Sequence, residues 1–284
     1  MKILYINSNK PDYLSDCVYH GLYRLFGDDV TFSHDYDLMY KDNDVVEKYG
    51  KGFTIWGNLE KKFYNNFDVI DKIKQKYFKF IIYGSIDRHD DYIEIVKSYY
   101  RPNEIAFLDG EDHTYITERH YQSNILYFKR ELIDKRVNLL PISFSIPLEK
   151  ITFERKKKEK KLAHIIPGNL ETYIYNNEKD YYDDYKISYF GITQKKGGWD
   201  CMRHYEILAN YCMPYFTNIK QCPENIMVNL PKKEILESKK LFESEKLNSE
   251  LYFELLESAF EKTKNSLTTV SSVKYIIDSL LNYK

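Results

Sequence analysis

Lys195, Lys196, Gly197 and Gly198 stand directly before a helical pattern that carries Arg203 and Glu206. Free backbone N–H groups at a helix start, together with the helix dipole, favour phosphate. Glycines let a backbone approach such a ligand closely. A carboxylate one to two turns further along could accept hydrogen bonds from sugar hydroxyls. Asp200 is placed to cap this helix. Met202, Tyr205, Leu208, Ala209 and Cys212 share one face, as core residues do, while Arg203, Glu206 and Asn210 share another. The competing reading of Arg203 and Glu206 is an exposed ion pair.

A second cluster lies in EIAFLDGEDH, where Asp109, Glu111, Asp112 and His113 follow an apolar run. Clustered carboxylates can push one pKa upward, which suits a general base. The competing reading is an acidic Asp-Gly turn with capping residues. Asp87, Arg88 and His89 end another apolar run, and Lys129-Arg130 end a third, either offsetting phosphate charge or serving as surface or structural residues. Other chemistries have less support. His204 with Cys201 or Glu206 lacks metal-site company, and neither HExxH nor CxxC occurs. No GxxxxGK[ST] loop is present, and a Cys-His nucleophile has no identifiable partners.

These residues need elements to hold them. KILYIN reads as a strand, the polar loop 7–12 follows, and LSDCVYHGLYRLFG is helical with Gly27 as its stop. FKFIIYGS (78–85), EIAFLDGED (104–112) and NILYFK continue the apolar runs, with helical YIEIVKSYY between the first two and PISFSIP (141–147) after the last. Strands alternating with helices predict an α/β fold with a largely parallel sheet, whose ligands sit beyond the carboxyl ends of its strands. ERKKKEKK (154–161) reads as a solvated linker, so the expected division is residues 1–150 and 151–284. LAHIIPG (162–168) and KISYFGIT (186–193) read as strands flanking a polar, Tyr-rich segment, and the chain from Pro231 is mainly helical.

Composition narrows the classes. The 43% hydrophobic and 30% charged residues describe a globular chain, and a net charge of −1 argues against non-specific nucleic-acid binding. Neither a signal peptide nor a run of 18 apolar residues is evident. Cys17, Cys201, Cys212 and Cys222 read as reduced thiols, so the expected location is the cytoplasm.

The run ISYFGITQKKGGWDCMRHYEILANYCMPYF resembles the signature of exostosin-type and spore-coat-type glycosyltransferases. There a strand and a Gly-containing loop lead into an Arg-x-x-Glu helix that ends in Gly-Cys-Ile-Pro and a strand. Arg203 and Glu206 match that Arg and Glu, and Cys212-Met213-Pro214 matches the ending, but Tyr211 stands where the family has Gly. The resemblance implies a GT-B-like fold: two small Rossmann-like domains facing each other across a cleft, with a helical C-terminal tail. It implies a donor site at Lys195, Lys196, Gly197, Gly198, Arg203 and Glu206, with Glu206 on the ribose and the loop on the diphosphate. Asp109 or Asp112 would supply the base for sugar transfer, with Arg88 and His113 on the acceptor side. The implied co-substrate is a nucleotide-sugar, UDP-sugar by default, with no cofactor and no obligatory metal. Two alternatives stand beside it: a phage-type enzyme that glucosylates a nucleic-acid base, and a non-catalytic module that kept the fold.

Overall fold

The computed structural model describes residues 1–41, 54–60, 68–116, 118–121 and 124–283. The apolar runs form a six-stranded, wholly parallel sheet: β1 (Ile3–Ile6), β2 (Val30–Phe32), β3 (Phe80–Tyr83), β4 (Ile105–Asp109), β5 (Leu126–Lys129) and β6 (Leu139–Pro141), in the order β2-β1-β3-β4-β5-β6. Ile3 pairs with both Val30 and Phe80, and Ala106 with Leu126. Every residue of β1 to β5 is buried, as expected of parallel strands covered on both faces. Helix α1 (Tyr13–Phe26) follows β1, with Asp12 Oδ1 accepting the Ser15 N–H at 3.0 Å as its cap. Among the described residues of this half, helices α2 (Val69–Lys74), α3 (Ile93–Tyr99) and α4 (Glu118–Tyr121) follow.

A second parallel sheet holds β7 (Lys160–Leu162), β8 (Ser188–Thr193) and β9 (Met213–Phe216) in that order. Helix α5 (Glu178–Lys186) precedes β8 and α6 (Met202–Ala209) connects β8 to β9. Three helices follow: α7 (Lys232–Glu243), α8 (Glu250–Ser266) and α9 (Thr269–Asn282). α8 packs on α6, whereas α9 returns to the first half and lies along α1. The Ile146 N–H donates to Leu267 O and the Thr269 N–H to Ile146 O, fixing that return. One apolar cluster runs from Tyr5 and Val18 through Ile146 to Phe190, Leu208, Phe260 and Ile276. The α/β expectation is met: two parallel sheets with helices, as in Rossmann-like folds. Among the described residues no helix is long and apolar enough to cross a membrane.

Two local expectations are corrected, and one segment gains a helix. The strand read in 162–168 lies earlier, at Lys160–Leu162, inside the lysine-rich run. That run is not wholly a solvated linker: Lys158 is buried, and its ammonium donates to the carbonyls of Lys186 and Tyr211. The Tyr-rich segment contains α5, started by Asn177, whose Oδ1 accepts the Asp180 N–H at 2.9 Å.

Candidate functional site

The strand–loop–helix unit β8–α6 opens onto a cavity of 310 Å³ between the two sheets. The second half lines it with Ile165, Tyr173, Tyr175, Tyr181, Lys196, Gly197, Gly198, Cys201, Arg203 and Glu206. The first contributes Tyr13, Thr54, Asp112 and Phe144. Cys201 is the N-cap of α6 and makes no side-chain capping bond. The helix therefore begins at the cavity, where among the described residues no side chain makes a capping bond and the His204 N–H donates to Cys201 O. Burial raises the Cys201 thiol above its ordinary value, which does not suit a thiolate nucleophile.

Asp200 is not the cap. Its carboxylate accepts the Phe144 N–H at 2.6 Å and the Tyr205 hydroxyl at 2.8 Å, tying the α6 entrance to the first half. Burial pushes its pKa up to about 6, although Arg130 opposes the rise.

Arg203 and Glu206 both reach the cavity, but they do not form the exposed ion pair considered from sequence. Arg203 is 9% exposed. One terminal nitrogen donates to Tyr173 Oη at 3.0 Å, while among the described residues Nε and the other terminal nitrogen have no hydrogen-bond partner. Buried polar atoms are nearly always satisfied, so a guanidinium left open in a cavity is a place for an anion. Glu206 accepts hydrogen bonds from Thr54 through Oε1 and from Tyr181 through Oε2, the latter at 2.6 Å. α6 is thus buried almost all round: Arg203, His204 and Asn210 lie inside with the expected apolar face.

The two glycines do more than admit a ligand. A Cβ on Gly197 would collide with the Asp112 carboxylate, and one on Gly198 would lie 2.5 Å from Glu131 Oε1 and 2.9 Å from Arg130. Glu131 accepts the backbone N–H groups of Trp199 and Asp200, each at 3.0 Å. Arg130 donates to Asp200 O at 2.8 Å, to Gly110 O at 2.9 Å, and to Glu131 and Asp112. The Arg130-Glu131 pair at the end of β5 therefore clamps the Gly loop, with its guanidinium 4.5 Å from the Phe144 ring centroid. Both residues are buried, so Arg130 is structural and not a surface charge.

The remaining candidates separate by location. Asp109 is fully buried and away from the cavity. Its Oδ1 pairs with Lys129 at 2.7 Å and its Oδ2 accepts the Tyr127 hydroxyl at 2.6 Å. Burial raises its pKa to about 6 despite Lys129. Asp112 is exposed and borders both the main cavity and a neighbouring one of 210 Å³ lined by Asp12, Tyr13, Trp56, Arg88, Glu111 and others. Arg88 pairs there with Glu111 and Asp12. His113 stacks on Tyr115, ring centroids 3.5 Å apart, and lines neither cavity. Lys195 also stays outside the cavity, 5.7 Å from the Trp199 ring centroid, while Lys196 lines it.

Sequence reasoning missed Glu131, Thr54 and the tyrosines at 173, 175 and 181. The tyrosine-rich composition of 169–186 was visible, but not the direction in which the rings face. Compared with known proteins, the chain matches no family model and no curated protein.

Proposed function

We propose that this chain is a GT-B-like glycosyltransferase that takes a nucleotide-sugar donor, UDP-sugar by default, without an obligatory metal. In this reading residues 1–150 form the acceptor side and 151–284 the donor side, with α9 crossing back onto α1. Arg203 carries the reading: a buried guanidinium with two nitrogens that have no hydrogen-bond partner among the described residues, beside the start of α6 and Lys196. Such a group stabilises a departing diphosphate without a cation. Glu206, polarised by Thr54 and Tyr181, is the ribose acceptor, and the tyrosine-lined wall covers the rest of the donor. Asp112 is the base, because it alone of the two candidate aspartates borders the donor cavity and the neighbouring one, where the acceptor enters.

The test is calorimetric titration with UDP, GDP, ADP and CMP in the presence of a chelator. One nucleotide should bind to wild type and lose most of its affinity in Glu206→Ala; equal binding by that variant refutes the assignment. The Arg130–Asp112 pair favours one second reading, a binding module without transfer, since it commits the carboxylate to the Arg130 clamp on the Gly loop. Slow donor hydrolysis without acceptor distinguishes the enzyme from that module.

A further inference from the structure

His34, His89 and Asp91 meet at the carboxyl end of the first sheet, and none of them lines either cavity. His34 follows β2, whereas His89 and Asp91 follow β3, so they flank the end of β1, which lies between those strands. Their ligand atoms all fall within 4.8 Å of one another. His34 Nε2 is 3.6 Å and His89 Nε2 3.7 Å from the same oxygen, Asp91 Oδ2. The two imidazoles meet edge to face, centroids 5.0 Å apart.

These separations are too long for hydrogen bonds, which run to about 3.2 Å. They are close to the spacing of atoms that share one ion: ligands at about 2.0–2.1 Å in a tetrahedron lie about 3.4 Å apart. Two further observations point to a ligand. His34 Nδ1 is 2.9 Å from the Asn7 carbonyl oxygen. Ser33 Oγ, also 2.9 Å from Nδ1, can accept like the carbonyl, so the tautomer that satisfies Asn7 O carries the proton on Nδ1 and turns the Nε2 lone pair into the cluster. That outer hydrogen bond is the usual support of a metal-bound imidazole. His89 Nε2 is buried and, among the described residues, has no hydrogen-bond partner.

We propose that His34 Nε2, His89 Nε2 and Asp91 Oδ2 bind one divalent cation of the zinc class. Two imidazoles with one carboxylate suit zinc and its late first-row neighbours better than magnesium or calcium. Asp91 is exposed and His34 partly so, which leaves a fourth position for water or another small ligand. The ion ties the loops after β2 and β3 across the end of β1, and the second of these loops carries Arg88. The site is independent of the donor reading, since it shares no residue with it.

The test uses the full chain, stripped with a chelator and titrated with Zn²⁺ by calorimetry without nucleotide. Wild type should bind one equivalent and gain thermal stability. His34→Ala and His89→Ala should each lower affinity at least 100-fold and lose the thermal gain. Co²⁺ should give visible d–d bands without a thiolate charge-transfer band. Asp91→Asn, a change at an exposed carboxylate, provides a variant with little risk to folding and should weaken binding at least tenfold. Absence of saturable binding to wild type, undiminished affinity in Asp91→Asn, or a thiolate band placing the ion on a cysteine would overturn the proposal.

Discussion

Glu131 reaches from the end of β5 to the backbone of Asp200, where its Oε1 accepts the amide N–H at 3.0 Å while Oε2 takes the preceding amide of Trp199. A carboxylate can accept both; an amide side chain cannot, because its NH₂ would face one of the two N–H groups. Glu131→Gln is therefore expected to leave a buried donor unsatisfied, costing about 1–3 kcal/mol in chemical denaturation. The loop it holds carries Gly198, so nucleotide affinity should fall as well. Unchanged stability would show that the clamp does not hold the loop.

Arg203 presents the opposite balance. Two of its nitrogens are buried and, among the described residues, have no hydrogen-bond partner, a cost that a bound anion would recover. Arg203→Met keeps the volume and removes the charge. The variant should be more stable than wild type by about 1–3 kcal/mol, while nucleotide binding is lost. A less stable variant would mean that the guanidinium is satisfied in the folded chain without a ligand.

What the sequence made legible follows from how each residue is held. Long apolar runs such as FKFIIY and EIAFL could be placed because parallel strands covered on both faces must be apolar throughout. β7 was hidden because Lys160 and Lys161 read as linker, although charged residues suit an edge strand. Lys129, Arg130 and Glu131 look like a surface triplet, since such residues are rarely fully buried unless paired. For Arg130 and Glu131 the pairing comes from a loop about 70 positions downstream, which no local pattern can show. The tail helices were readable from their periodicity, but the return of α9 onto α1 is a tertiary fact.

Asp109 and Asp112 should behave differently on substitution. Asp109→Asn removes the counter-charge of Lys129, itself fully buried, and is expected to destabilise the fold by about 3–5 kcal/mol. Asp112→Asn changes an exposed side chain, so stability should move by about 1 kcal/mol or less. If the chain is the proposed glycosyltransferase, donor affinity should persist while sugar transfer falls by about 10²–10⁴. Full transfer activity in Asp112→Asn would return the base to another residue.

Tyr211 ends α6 in the left-handed turn that a glycine more often makes. Tyr211 adopts the left-handed conformation at φ 52°, its N–H donates to Leu208 O, and the Cys212 N–H donates to Ile207 O. This is the Schellman arrangement, made by a residue that is strained in it. The ring offsets the strain: its hydroxyl donates to Glu257 at 2.8 Å, Arg155 lies 4.0 Å from its centroid, and Phe260 meets it edge to face. Tyr211→Gly relieves about 1 kcal/mol of backbone strain but gives up a mostly buried aromatic ring worth about 3 kcal/mol. Net destabilisation with nucleotide affinity within about twofold of wild type is expected. A gain in stability would show that the strain outweighs the packing.

His204 links the α6 interior to the loop, with Nε2 donating to Trp199 O at 2.9 Å and Nδ1 accepting from Thr193 Oγ1 at 2.9 Å. It is fully buried and stacks on Phe216 at 4.5 Å. Burial lowers its pKa to about 4 from an ordinary value of 6.5. A depressed imidazole is neutral in the fold and takes up a proton more readily when unfolded. Its contribution is therefore complete above pH 6.5 and is lost as pH falls toward about 4. Asp109 and Asp200, with raised pKa values, tilt the other way across pH 4–6, so the total stability of wild type does not isolate this effect. The difference between wild type and His204→Gln does. That difference should be largest at pH 7 and shrink by about 3 kcal/mol by pH 4, the amount two to three units of pKa displacement represent. Denaturation curves of both proteins between pH 4 and 7 measure it, and a difference independent of pH would show that His204 is not held neutral.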